Sequence, residues 1–185
     1  MHRGFLRLLF LLLIPAVAGA TTLVQMSLDE LAAAAPVVAR VRCLENDIRK
    51  EGGEIWTFTR FEVVETLKGN VPQEITVRLI GGRLGHWISK VDGIPQFRPG
   101  EELYLFLEPT PSGSLGVTSW VQGTFRIARQ AGSDRETVVQ DTSSVTVFDP
   151  ATRRFRPGGL RNLSVEEFRR QVRATLERQA QRRTP

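Results

Sequence analysis

The feature that most constrains this chain is its hydropathic period. From Val37 onward, apolar and β-branched residues fall into short runs punctuated by Gly, Pro, Asn and Asp, the pattern of strands and turns. Residues 74–80 are the clearest case: Ile75, Val77 and Leu79 alternate with Glu74, Thr76 and Arg78. Residues 37–44 form an earlier strand, and Glu51-Gly52-Gly53-Glu54 a turn. In 55–67 both faces carry apolar groups: Trp56, Phe58 and Val64 on one, Ile55, Phe61 and Val63 on the other. That predicts a bend or a two-sided central strand. Residues 101–107 repeat the theme, with Leu103, Leu105 and Leu107 against Tyr104 and Phe106. Further strands are expected at 117–121, 123–129, 137–140 and 144–148. Short strands with close turns predict a mainly β fold: a small five- to six-stranded OB-like barrel over residues 21–150.

Two helices flank it. Ser27 and Glu30 make a capping box for a short N-terminal helix that must end before Pro36. Ser164 and Glu167 make a second one, opening a C-terminal amphipathic basic helix over 164–182. Its apolar stripe is Val165, Phe168, Val172 and Leu176. Between barrel and helix, residues 151–163 read as an Arg/Pro/Gly-rich linker bounded by Asp149-Pro150 and Pro157-Gly158-Gly159.

The first twenty residues have a separate meaning. Arg3 and Arg7 precede an apolar run, 8–17, that ends in Ala18-Gly19-Ala20. This is the pattern of a cleaved signal peptide, residues 1–20, with cleavage after Ala20. The run is about half the roughly 20 residues that a spanning helix needs. The expected destination is the periplasm or the exterior of a bacterial-type cell. There Cys43 has no partner within the chain, being the only cysteine. It is a strand cysteine of no chemical consequence, or one that forms an intermolecular disulfide or a reactive thiol.

Charge is unevenly distributed. Residues 153–185 hold ten arginines against Glu166, Glu167 and Glu177, while 21–152 is net acidic. The high isoelectric point therefore belongs to the tail. Arg169, Arg170, Arg173 and Arg178 are candidates for contact with anionic lipid or cell-wall polymer. A net-acidic domain with aromatics at core-like positions argues against nucleic acid.

Candidate chemistry is sparse. Only His86 remains beyond the signal segment, so the usual zinc and copper sites cannot be assembled, and no cofactor motif is present. Gly81-Gly82-Arg83-Leu84-Gly85 lacks the following helix and Lys-Ser/Thr pair of a phosphate loop. No serine lies in a nucleophile-elbow context. The expectation is a non-enzymatic binding module. Residues 81–100 form a long glycine-rich excursion, and Arg83, His86, Trp87 and Ile94 are its candidate partner-binding residues.

Three segments carry a resemblance: Val37-Val38-Ala39-Arg40-Val41, then residues 56–69 ending Glu65-Thr66-Leu67-Lys68-Gly69, then Pro99-Gly100-Glu101-Glu102-Leu103-Tyr104-Leu105-Phe106-Leu107. Their succession resembles a group of uncharacterised exported bacterial proteins. It is also similar to the netrin-like and metalloprotease-inhibitor-like (TIMP-like) OB barrels, over about residues 36–130. The resemblance implies a five-stranded barrel used for binding and, in some relatives, for inhibiting a secreted metalloprotease through a free N-terminal cysteine. This chain departs there, because its expected mature end is Thr21-Thr22 and its one cysteine is Cys43. No functional residue transfers.

Overall fold

The computed structural model describes residues 22–183 apart from 130, 131, 133, 134, 141 and 157. The expected signal peptide lies outside the described residues. The fold is mainly β, with a large sheet and a C-terminal helix.

Its spine is a hairpin of two fifteen-residue strands, β2 (Val37–Glu51) and β3 (Glu54–Lys68). Gly52 and Gly53 join them at φ +59° and +90°, as a two-residue turn matched to the strand twist requires. β2 was expected to stop at Leu44. It runs seven residues further because its polar half pairs throughout with β3, from Glu45↔Arg60 to Glu51↔Glu54. Register shifts at Val38/Ala39, Arg40/Val41 and Cys43/Glu45 bend this ribbon. One end of it is flanked by β7 (Glu102–Pro109) along Val37–Arg42 of β2, and the other by β4 (Glu74–Ile80) along Trp56–Glu62 of β3.

A short strand, β8 (Leu115–Val117), pairs with both outer members. It is antiparallel to β7 and parallel to β4, the latter at Val77↔Leu115. On the first half of β7 the sheet instead continues into β9 (Thr124–Arg129), β10 (Glu136–Val139) and β13 (Leu163–Ser164). Outside this sheet stand a hairpin, β5 (Gly82–Leu84) with β6 (Trp87–Ser89), and a three-stranded sheet. The latter has the order β1 (Thr22–Val24), β11 (Thr146–Asp149), β12 (Arg154–Arg156). There are thus more strands than the five or six expected. The stretch expected as a linker, 151–163, itself contains β12 and β13. Their hydrogen-bond partners lie on β11 and β10, and nothing in the local arginine-, proline- and glycine-rich composition announces them.

Two cores lie on opposite faces of β2 and β7. Ala39, Val41, Cys43, Leu103, Leu105 and Leu107 pack with Phe61, Ile75, Val77 and Leu79 on one side. Val38, Tyr104 and Phe106 pack on the other against Phe125 and the helices. The alternation in 103–107 is therefore that of a strand buried on both faces.

The helices are α1 (Leu28–Ala34) and α2 (Val165–Arg183). Ser27 caps α1 reciprocally: its Oγ accepts from Glu30 N–H at 3.2 Å, and its own N–H donates to Glu30 Oε2 at 2.7 Å. Lys68 Nζ donates to the carbonyls of Ala32 and Ala35 at the far end. Ser164 Oγ accepts from Glu167 N–H to start α2. Val165, Phe168 and Val172 are buried, and Leu176 is packed at the margin of the same core. Phe168 stacks between Tyr104 and Phe125 at ring distances of 5.0 and 4.8 Å. Among the described residues, no helix is long and apolar enough to cross a membrane.

Candidate functional site

Residues 81–100 leave β4 through a tight passage. Gly81 has φ +99° and Gly82 φ +139°; Gly81 N–H donates to the Ile55 carbonyl, and Thr57 Oγ1 donates to the Gly81 carbonyl. A Cβ on Gly82 would lie 2.6 Å from Thr57 Oγ1 and 3.0 Å from Ile48 Cγ2. Only glycine lets the β5–β6 hairpin come this close to the β2–β3 ribbon.

The hairpin turns at Gly85-His86, pairing Leu84 with Trp87 and Arg83 with Ile88. Trp87 is 65% and Ile88 62% exposed, while Arg83 and His86 are also open to solvent. The His86 ring lies 5.0 Å from that of Trp87. Among the described residues it has no hydrogen-bonded carboxylate or serine to orient it for base catalysis.

The remainder of the excursion is tied down. Asn46 Nδ2 donates to the Phe97 carbonyl at 2.9 Å while its Oδ1 accepts from the buried Thr59 hydroxyl at 2.6 Å. Phe97 meets Phe61 edge-on at 5.1 Å. Arg126 forms an ion pair with Glu101 and donates to the Gln96 carbonyl. The segment 90–97 thus forms a fixed wall between two recesses. One, about 420 Å³, lies under the hairpin, between Ile48, Thr57 and Leu79 on one side and Arg83 and Ile88 on the other. The second, about 450 Å³, is more polar, with Lys90, Asp92, Arg98, Glu101 and Arg126 around it.

Of the four loop residues picked out in the sequence, Arg83, His86 and Trp87 are presented together. Ile94 is not: it packs against the inner core and helps to line both recesses, because the wall folds its apolar side inward. Ile88 belongs with Trp87 at the exposed tip. Its position next to Trp87 in an extended stretch could have flagged it, since two adjacent apolar residues on a strand cannot both face one core.

The helix arginines were expected to point outward and be available. Arg169 is part-buried and the other three are exposed, yet each pairs with a carboxylate of the protein itself. Arg169 and Arg173 both donate to Glu65 Oε1, at 2.6 and 2.9 Å, Arg178 to Asp29 Oδ1 at 2.9 Å, and Arg170 pairs with Glu167. Hydrogen bonds from Thr175 and Arg178 hold the Asp29 carboxyl below its usual range. Arg169 and Arg173 thereby tie α2 to β3, and Arg178 ties it to α1, while the Arg170 pair lies within α2 itself.

Cys43 is 1% exposed and faces the inner core. Burial, reinforced by the charge of Glu101, pushes its thiol up to about 11. A disulfide to another chain would require the sheet to open. Among the described residues, no group of three or more His, Cys, Asp or Glu side chains is placed to hold a metal ion.

No protein-family model and no curated protein sequence matches the chain.

Proposed function

We propose that the protein is an exported binding module that recognises another protein through the β5–β6 hairpin, mounted on a five-stranded OB-type barrel. The barrel reading is supported by β8, whose pairings with both β4 and β7 link β2, β3, β4, β8 and β7 into one circuit. The observation that carries the function is the hairpin tip. Two large apolar side chains, Trp87 and Ile88, stand exposed beside Arg83 on a segment whose base is pinned by Gly82, Asn46 and Arg126. A rigid tip loses little freedom on binding, and tryptophan and arginine are among the residues most enriched at interface hot spots. Arg83 has no carboxylate partner among the described residues. The complementary surface is therefore an apolar pocket or segment edged by acidic side chains. The flanking recesses give such a partner shaped places to insert its own side chains.

Inhibition of a protease by an inserted N-terminus draws no support from this geometry, since Thr22–Val24 is paired along β11. The signal-like segment supports an encounter in the periplasm or outside the cell.

The test is capture from the producing cell's envelope and medium on wild-type protein, Trp87→Ala/Ile88→Ala and Arg83→Glu, with quantitative mass spectrometry of isotope-labelled peptides. A partner using the tip is depleted about 30-fold on the double variant, the effect of losing a hot spot of about 2 kcal/mol. Proteins held equally by all three forms would rule out the hairpin as the recognition element.

A further inference from the structure

The three-stranded sheet β1-β11-β12 belongs neither to the two cores' centres nor to the hairpin site. Its register sets Val24 opposite Phe148 and Phe148 opposite Phe155, so the three form one row across the strands. The rings of Phe148 and Phe155 lie 5.2 Å apart. Val24 is 60% and Phe155 64% exposed, while Val147, pointing the other way, is 1% exposed. The row is therefore the outer face of this sheet, and it is apolar.

The turn beside it is basic. Asp149 closes it with its own carboxylate, accepting from the N–H groups of Ala151 and Thr152 and from the Thr152 hydroxyl. Arg153, at φ +52°, and Arg154 then project into solvent. Neither makes an ion pair among the described residues. They differ in this from Arg169, Arg170, Arg173 and Arg178, each of which is ion-paired within the fold.

We infer that this face is a membrane-interface patch. Phe155, Phe148 and Val24 enter the headgroup region of an anionic phospholipid surface, and Arg153, in the adjoining turn, meets the lipid phosphates. Two observations select that occupant. The row is flat, and neither recess described above reaches it, which suits a fluid surface better than a shaped partner. Its uncompensated charge is positive, the complement of anionic lipid. One row of side chains and one arginine make the contact weak and reversible.

The test uses the exported protein as the cell processes it, co-sedimented with vesicles of phosphatidylcholine alone or mixed with phosphatidylglycerol. Binding to the mixed vesicles, weakened by salt, is expected. Phe155→Ser should lower it about tenfold, by analogy with burying part of a large apolar side chain. Arg153→Ala should lower it about fivefold, the effect of one arginine near the surface. Arg170→Ala and Trp87→Ala should leave it unchanged, the latter separating this face from the hairpin site. Both Phe155 and Arg153 are exposed, so a thermal midpoint well above the assay temperature will show that the variants remain folded. Failure of the wild type to sediment with mixed vesicles would overturn the inference. Equal binding by the patch variants, or loss on Trp87→Ala, would overturn it as well.

Discussion

Phe168→Ala tests whether α2 is an integral part of the fold. The ring is fully buried, with Tyr104 and Phe125 on either side of it. Removing it forfeits about 2–3 kcal/mol of apolar burial. Two ring–ring contacts add about 0.5–1.5 kcal/mol each. The residual cavity keeps the total in the range of about 3–5 kcal/mol seen for buried phenylalanines. With a urea dependence of about 2 kcal/mol per molar for a domain of this size, the unfolding midpoint should fall by about 2 M. Urea titration followed by far-UV circular dichroism and by tryptophan fluorescence measures this directly. Hydrogen exchange should show protection along 165–183 falling before that of β2 and β7, since Val165 and Val172 alone hold the helix less firmly. Phe155→Ala, on the exposed row, is the control: it loses one ring contact, with Phe148, and should cost no more than about 1.5 kcal/mol. A loss below about 1 kcal/mol for Phe168→Ala would mean that α2 does not pack on Tyr104 and Phe125 as described.

Tyr104 is the only tyrosine, so its ultraviolet titration is unambiguous. Burial, with the charge of Glu65 behind it, pushes the hydroxyl up to about 12 from 10.0, and the native protein should titrate there while the urea-unfolded chain titrates near 10. Because both Tyr104 and Cys43 are raised in the folded state, the stability they contribute is complete below their unfolded values of 10.0 and 9.0. It is lost as pH rises towards about 12 and about 11, so alkaline unfolding measured by circular dichroism should fall in that window. Cys43 should resist a thiol reagent in native buffer and react at once in denaturant; rapid native labelling would contradict its burial. Gly82→Ala forces a Cβ against Thr57 and Ile48 at a positive φ, and should cost about 1–3 kcal/mol while loosening the hairpin, read as faster exchange at 83–89.

Several features of the fold are legible one residue at a time. The capping serines at 27 and 164, the Gly52-Gly53 turn and the two-sided alternation of 103–107 each depend on neighbours within a few positions. They reappear in the structure almost where periodicity puts them. The exposed part of the candidate site was also legible. Glycines on either side of Arg83, His86 and Trp87 predict a projecting loop, though not its exact strand pairing nor the inward turn of Ile94.

What the sequence by itself determined, then, is the set of local elements: short alternating strands, two capped helices and a glycine-rich excursion. Their shape follows from backbone sterics, turn chemistry and the periodicity of side chains, all of which act over a few residues. Tertiary structure alone decided how far β2 extends, that 154–156 and 163–164 are strands, and which arginines are free. Arg169 finds Glu65 across 104 residues, whereas Arg153 and Arg154, in the same basic tail, find no such partner among the described residues. Composition counts these arginines alike. Only the global register of the strands brings carboxylates to some of them and leaves others facing water, and that register is a property of the whole packed chain.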